Sequence, residues 1–291
     1  MSDDLLSLLQ QLDDSDQKRT NDIVRAPFGY HGGKAKSINE LLPRLPYRKG
    51  YCEVFGGSGV VLLNRRPSKL EVFNDRYVGV TSFYRCINNA TLVRQLIDRL
   101  DLTIHSREEF EWCKDTWRDI QDDVERAARW YYMLQTSFGK QGRNWGRSVR
   151  SSGTIGQAFK NNLQLFWPAH DRFKNVQIEN LDFRSCFKDY NDSEMVFYCD
   201  PPYLGAAPVY ECGMTPTDHM DLLNLIFASK GYVALSGYDN DMYNDRSWDH
   251  KYTWEAFVAS TPVTGGEFNN KPEGVFERGT ATECLWIKES N

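Results

Sequence analysis

The chain has 291 residues, enough for one large domain or two smaller ones, and its 41% hydrophobic and 26% charged content sit near the globular average. A net charge of -5 argues against a protein that simply coats nucleic acid, although it leaves room for a locally basic face. Seven scattered cysteines with no C-x-x-C pair, and no clustered histidines, give no support for a zinc site and suit reduced thiols.

The opening MSDDLLSLLQQLDD places acid where a signal peptide needs a basic flank, and no run of roughly 18 apolar residues occurs anywhere. A soluble, intracellular (cytoplasmic) protein is therefore expected. Residues 1–25 read as an appendage: Leu5, Leu6, Leu8, Leu9 and Leu12 could form a short helical stripe that binds a partner, or the segment is a solvated tail. The 13% aromatic content suits either stacking on flat ligands or an aromatic-rich core.

From Pro27 the texture changes. GYHGGK is a glycine-rich turn, and Ser37 to Leu45 reads as a helix ending near Pro46. YCEVF (51–55) predicts a strand, followed by GGSG and a helix through VVLLNRR. A second strand, LEVF (70–73), ends in Asn74-Asp75. Strand, glycine turn, helix, strand and acid open a doubly wound α/β sheet. Residues 78–135 read as mostly helical, and SFGKQGRNWGRSVRSSGTIG as a loop. Strand texture returns in VQIENLDF (176–183), MVFYCDPPY (195–203), YVALSGY (232–238) and ECLWI (283–287). The expected fold is a Rossmann-like α/β sheet, interrupted by a mainly helical insertion at about 85–175.

Two places carry chemistry. In the first, Phe55, Gly56, Gly57 and Gly59 form a turn between strand and helix. Glycine lets the backbone approach a ligand closely there, and the helix N-terminus is expected to add free N–H donors. Asp75, at the end of the next strand, can accept from both hydroxyls of a ribose. The G-x-G-x-x-G order of dinucleotide sites is absent. In the second, Asp200-Pro201-Pro202-Tyr203 breaks the chain at the sheet's carboxyl edge. The prolines rigidify the turn and leave Asp200 and the Pro201 carbonyl as acceptors with nothing local to bond. The two N–H donors of an exocyclic amine match them, and Tyr203 offers a flat face for a displaced base.

Between Arg126 and His170 there are seven basic residues and no acid: Arg126, Arg129, Lys140, Arg143, Arg147, Arg150 and Lys160. With Trp145, Phe138 and Phe159 interleaved as possible wedges, this stretch is expected to contact DNA, chiefly through Lys140, Arg143, Arg147 and Arg150. An ordinary solvated basic surface is the competing account.

The order GYHGGK, EVFGGSG, FNDRY, ENLDF and DPPY resembles the Dam-like family of DNA adenine-N6 methyltransferases, and LSGYDNDMY and TECLWI resemble its phage-type members. The likeness covers about 26–84 and 176–291, the expected catalytic domain; ERAARWYYMLQTSFG matches more loosely within the insertion, the expected DNA target-recognition region. The resemblance implies S-adenosylmethionine as cofactor and double-stranded DNA as partner. It further implies cofactor contacts from Tyr30, Lys34, the Phe55–Gly59 turn, Asp75 on the ribose, Asp182 and Phe183 at the adenine ring, and Asp200 near the methionine end. Lys34 could instead serve the DNA side. His31 stands where the family usually has a small residue. The implied chemistry is direct methyl transfer to a flipped adenine, with Asp200 and the Pro201 carbonyl favouring a tetrahedral amine nitrogen. A cytosine-N4 methyltransferase and a catalytically silent DNA-binding regulator are the alternatives.

Overall fold

The computed structural model describes residues 23–30, 32–147, 154–204, 213–258 and 279–290. His31, Arg150 and residues 1–22 lie outside the described residues.

Seven strands build one sheet: β1 (Gly50–Glu53), β2 (Leu70–Asn74), β3 (Gln177–Glu179), β4 (Met195–Cys199), β5 (Tyr232–Tyr238), β6 (His250–Val258) and β7 (Gly279–Lys288). Their order is β3-β2-β1-β4-β5-β7-β6. Pairs from β3 to β5 are parallel, while β7 runs antiparallel to both β5 and β6. The strand order therefore reverses direction between β1 and β4, and the carboxyl ends of the parallel strands open a crevice there. No helix among the described residues is long and apolar enough to cross a membrane.

Strand side chains alternate between two separate cores, as the pleat requires. Tyr51, Phe73, Val196, Tyr198, Ala234, Leu285 and Ile287 pack on one face. Cys52, Val72, Phe197, Cys199, Val233, Leu235, Cys284 and Trp286 pack on the other.

The crossover from β1 to β2 carries α2 (Val60–Asn64), preceded in the chain by the four-residue α1 (Ile38–Leu41). The helix expected over 37–45 shrinks to α1, because Pro43 cannot donate a hydrogen bond and the chain continues only as a 3₁₀ turn over Leu42–Arg44. Between β2 and β3 come α3 (Val78–Asn88), α4 (Ala90–Asp101), α5 (Arg107–Thr116), α6 (Asp123–Thr136), α7 (Ile155–Asn162) and α8 (Phe166–Phe173). Four of them begin on a side-chain cap: Asn89 for α4, Ser106 for α5, Asp122 for α6 and Thr154 for α7. Their apolar faces join the first core, where Phe83 stacks on Tyr131 at 5.3 Å and Tyr84 on Phe173 at 4.3 Å. Opposite, α9 (Phe183–Asp189) and α10 (Pro216–Ala228) cover the second core, and α11 (Asp241–Asn244) follows β5.

Two other expectations change. The strand expected over 176–183 is only Gln177–Glu179; the chain leaves the sheet before Asp182, which caps α9 by accepting from Arg184 N–H. The edge strand β6 was not anticipated from sequence at all.

Candidate functional site

A cavity of about 470 Å³ opens at the strand-order reversal, at the carboxyl ends of β1, β2 and β4. One wall is the turn from β1 into α2. Gly57 and Gly59 hold φ of +51° and +67°, and a Cβ on Gly56 would lie 2.3 Å from the Phe73 ring. Glycine is thus required twice for conformation and once for space. Three of the turn's amides are occupied: Gly56 N–H donates to the Asn74 carbonyl, Gly57 N–H to Asp75 Oδ2 and Gly59 N–H to the Gly56 carbonyl. Leu62 N–H, in the first turn of α2, donates to Glu53 Oε2. The expectation that this turn presents free N–H donors is therefore corrected for these four groups, which internal acceptors have taken.

Asp75 is held by two backbone donors, Gly57 N–H and Tyr77 N–H, each at 2.8 Å. Burial raises its pKa to about 6 despite those bonds. Glu53, on the cavity floor, accepts from Leu62 N–H at 3.0 Å and Tyr51 OH at 3.3 Å, and burial raises its pKa to about 8. Asn74 joins the strand ends: its amide donates to the Val54 and Leu181 carbonyls and its oxygen accepts from Leu181 N–H. Leu181 and Phe183 are thereby held at the cavity, with the Phe55 and Phe183 rings 5.9 Å apart and tilted by 33°.

The opposite wall is the Asp200-Pro201-Pro202-Tyr203 turn. Asp200 finds its partner 166 residues away, where Lys34 Nζ donates to Oδ1 at 2.6 Å and Oδ2 at 2.7 Å. Lys34 also donates to Tyr203 OH at 2.7 Å and lies 3.2 Å from Glu283 Oε1. Burial alone would discharge this lysine, but the carboxylates of Asp200 and Glu283 overcome that and hold its pKa above the ordinary value. Burial, with the charge of Glu283, keeps the Asp200 carboxyl above the usual carboxylate range even though Lys34 pulls it down. Tyr203 donates to Glu283 Oε1 at 2.8 Å, and its ring meets Tyr238 edge-on at 4.5 Å.

Tyr30, Lys34, Phe55, Gly56, Gly57, Asp75, Phe183 and the whole Asp200–Tyr203 turn line this one cavity. Gly59 and Asp182 do not line it: Gly59 faces Tyr84 and Phe173, and Asp182 pairs with Arg184 at 3.2 Å and Arg76 at 3.5 Å. Two buried acids were not assigned a role from sequence, Glu53 and Glu283. Glu53 directly precedes the glycine turn, a visible signal. Glu283 lies in an apolar strand that reads as core.

The basic stretch is less uniform than its composition. Arg126 and Arg129 pair with Asp123 and Glu125, and Lys160 with Asp101, all acids outside the stretch. Lys140 donates inward to the Gln135 carbonyl, and burial lowers its pKa to about 8. Arg143 and Arg147 are exposed. Of the aromatics, Phe138 is 65% exposed, while Phe159 is fully buried against Tyr131 and Tyr132 and cannot act as a wedge. Trp145 is half-buried against His105 at 4.7 Å.

A mostly parallel sheet with one reversed strand and a cavity at its switch point is the Rossmann-like architecture of a methyltransferase. A family model for D12 class N6 adenine-specific DNA methyltransferases matches residues 30–261, and the chain belongs to that family. Curated relatives include the Type II methyltransferase M.FokI of Planomicrobium okeanokoites, 24% identical over 259 residues, covering 80% of this chain and 39% of that protein. The modification methylase StsI of Streptococcus sanguinis is 22% identical over 279 residues, covering 88% of this chain and 42% of that protein. The Type II methyltransferase M1.LlaDCHI of Lactococcus lactis subsp. cremoris is 28% identical over 204 residues, 63% of this chain and 68% of that protein. The chain spans about two-fifths of the length of the first two.

Proposed function

We propose that this chain transfers a methyl group from S-adenosylmethionine to the N6 amine of an adenine extruded from double-stranded DNA. The observation that carries this reading is that Asp75, after the glycine turn, and Asp200, in the Pro-Pro turn, face one cavity of about 470 Å³. That volume falls within the range of about 300–1,000 Å³ usual for small-molecule sites.

The residues present fit the cofactor. Asp75 would accept from the ribose hydroxyls, Phe55, Leu181 and Phe183 would form an apolar wall for the purine, and Glu53 offers a buried acid to an ammonium group. Tyr30 and the glycine turn would complete the enclosure. When bound, S-adenosylmethionine supplies an electrophilic methyl group on a sulfonium.

Asp200 and the Pro201 carbonyl would accept from the amine of the target base. A carboxylate has about four lone-pair sites. Lys34 takes one on each oxygen of Asp200, so acceptor capacity remains for the substrate. Two accepted hydrogen bonds draw the amine's lone pair out of conjugation and favour a tetrahedral nitrogen. Asp200, raised above the usual carboxylate range, is also suited to take the proton that the amine must lose. Tyr203 would flank the extruded base.

DNA contact is assigned to residues 85–175, with the exposed Arg143 and Arg147 foremost and Phe138 as the exposed aromatic. The basic loop lies near the cavity mouth: the Lys140 stem would be 3.8 Å from a Cβ on Gly29, next to the cavity-lining Tyr30. Residues 26–84 and 176–291 form the catalytic part in this reading.

The test is transfer of labelled methyl from S-adenosylmethionine to duplex DNA by the purified chain, with the product digested to nucleosides. N6-methyldeoxyadenosine is expected. Label in N4-methyldeoxycytidine, or DNA binding with no transfer to any of a broad set of duplexes, would overturn the proposal.

A further inference from the structure

The C-terminal motif TECLWI places Glu283 directly behind the cavity wall, where it lines nothing and yet touches everything that holds Asp200. It is 5% exposed. Oε1 accepts from Tyr203 OH at 2.8 Å and lies 3.2 Å from Lys34 Nζ; Oε2 accepts from Ser37 Oγ at 2.9 Å and Trp254 Nε1 at 3.2 Å. Four donors from three separate segments, 34–37, 203 and 254, thus converge on one buried carboxylate. A structural ion pair would need only one acid for Lys34, and here there are two.

We propose that Glu283 is a positioning residue, which shares the Lys34 ammonium with Asp200 and thereby leaves one net negative charge beside the substrate amine. This rests on the methyltransferase reading above. Lys34 alone would neutralise Asp200 and leave a dipole where the amine gains positive charge during attack. With the second carboxylate, two negative charges face one positive charge in a site that excludes most water, so the excess attracts the developing cation. Other titratable groups that face the cluster do not supply that charge. Glu53 is mostly protonated at neutral pH, with a pKa of about 8, and Tyr198, Tyr203 and Tyr238 are all held above the ordinary phenol value. Glu283 itself stays ionised, because Lys34 and its hydroxyl donors outweigh the cost of its burial and hold its pKa below the ordinary value. It acts on the substrate only through Lys34, Tyr203 and its field, since it does not reach the cavity surface.

The test is Glu283→Gln, which keeps the shape and an acceptor while removing the charge. In single-turnover assays with both substrates saturating, the transfer step should slow by at least about tenfold, while S-adenosylmethionine and DNA dissociation constants change by less than about threefold. Glu283→Asp, which keeps the charge, should retain transfer within about fivefold of wild type. The second readout needs no ligand: nitrogen-15 NMR of the Lys34 ammonium, assigned with Lys34→Arg, should show its titration midpoint fall by about one pH unit or more in Glu283→Gln. Transfer by Glu283→Gln at the wild-type rate, or an unmoved Lys34 midpoint, overturns the inference. So does a folded Glu283→Asp that loses as much transfer as Glu283→Gln, since shape would then be the cause. If Glu283→Gln does not fold, the wild-type carboxyl carbon decides: Glu283 must titrate below its ordinary value, and protonation above neutral pH overturns the proposal. A folded wild-type protein that methylates no DNA overturns the reading of the function instead.

Discussion

The two walls of the cavity are built in opposite ways. The glycine-turn wall comes from one short run of chain, residues 53–77, and its polar groups satisfy each other through backbone amides: Gly57 and Tyr77 hold Asp75, and Leu62 holds Glu53. Its acids have no cationic partner among those bonds, so burial raises both pKa values. The opposite wall gathers Lys34, Asp200, Tyr203 and Glu283 from distant parts of the sequence, and side chains hold side chains. The first wall is a fixed acceptor waiting for hydroxyl or ammonium donors. The second is a cluster of two carboxylates around one ammonium, suited to a charge that appears only during reaction. The difference predicts that changes in the first wall should act on cofactor binding, and changes in the second on the rate of transfer.

The largest expected effect tests the second wall. Asp200→Ala should slow methyl transfer by at least about a hundredfold, because it removes an acceptor used as charge develops. The loss should appear in the transfer step of single-turnover kinetics, with cofactor affinity changed far less. An equal loss in cofactor affinity would erase the distinction between the walls.

Next is the first wall. Asp75→Ala should weaken S-adenosylmethionine binding by about 1.5–3 kcal/mol, the scale of hydrogen bonds to a charged group. Calorimetry would measure it, and an unchanged dissociation constant would remove Asp75 from the ribose.

A pH series sharpens the same point. Donated hydroxyl hydrogen bonds favour the ionised carboxylate, so affinity should fall as pH drops through about 6 and approach a tenfold loss per pH unit. Above that pH the Asp75 contribution should be flat, and Asp75→Asn should abolish the Asp75 part of the dependence. Glu53, with its pKa of about 8, must lose its proton to take the cofactor's ammonium, so a second slope is expected below about 8 and should persist in Asp75→Asn. For the ligand-free chain the sign reverses. A carboxyl raised from 3.8 to about 6 by folding contributes stability that is present below 3.8 and lost as pH rises through about 6. Denaturant titrations from pH 4 to 7 should therefore show this contribution decline over the range where cofactor affinity improves.

The smallest effects lie outside both walls. Arg143→Ala and Arg147→Ala should each lower DNA affinity and reduce the log–log salt slope by about one, if their guanidiniums meet phosphates. Cofactor binding should be untouched. Wild-type affinity on cognate and scrambled duplexes at every salt concentration would return these arginines to ordinary surface.

The sequence by itself determined the first wall and the frame around it. Apolar runs after turn signals marked β1, β2, β4, β5 and β7, and GGSG followed by Asp75 is readable because the bonds that fix the two acids, from Gly57 and Tyr77 to Asp75 and from Leu62 to Glu53, span fewer than twenty positions. Asp200 was legible for the same reason, since a Pro-Pro pair can only end a central strand. Only the tertiary structure decided what Asp200 touches. Pattern along the chain carries no record of which distant side chain arrives opposite, so Lys34 and Glu283 could not be joined to it. Glu283 was hidden twice. It sits in mid-strand at the start of β7's apolar run, and β7 runs antiparallel to both its neighbours, which brings position 283 beside Tyr238, at the carboxyl end of β5. The pleat then turns position 283 to the same face as Leu285, Ile287 and Tyr198. The basic stretch failed in the other direction: its excess looked like one DNA-binding surface, but folding brought Asp101, Asp123 and Glu125 against three of its seven cations. Coulomb pairing is set by distance in space, and composition within a window cannot see acids that lie outside it.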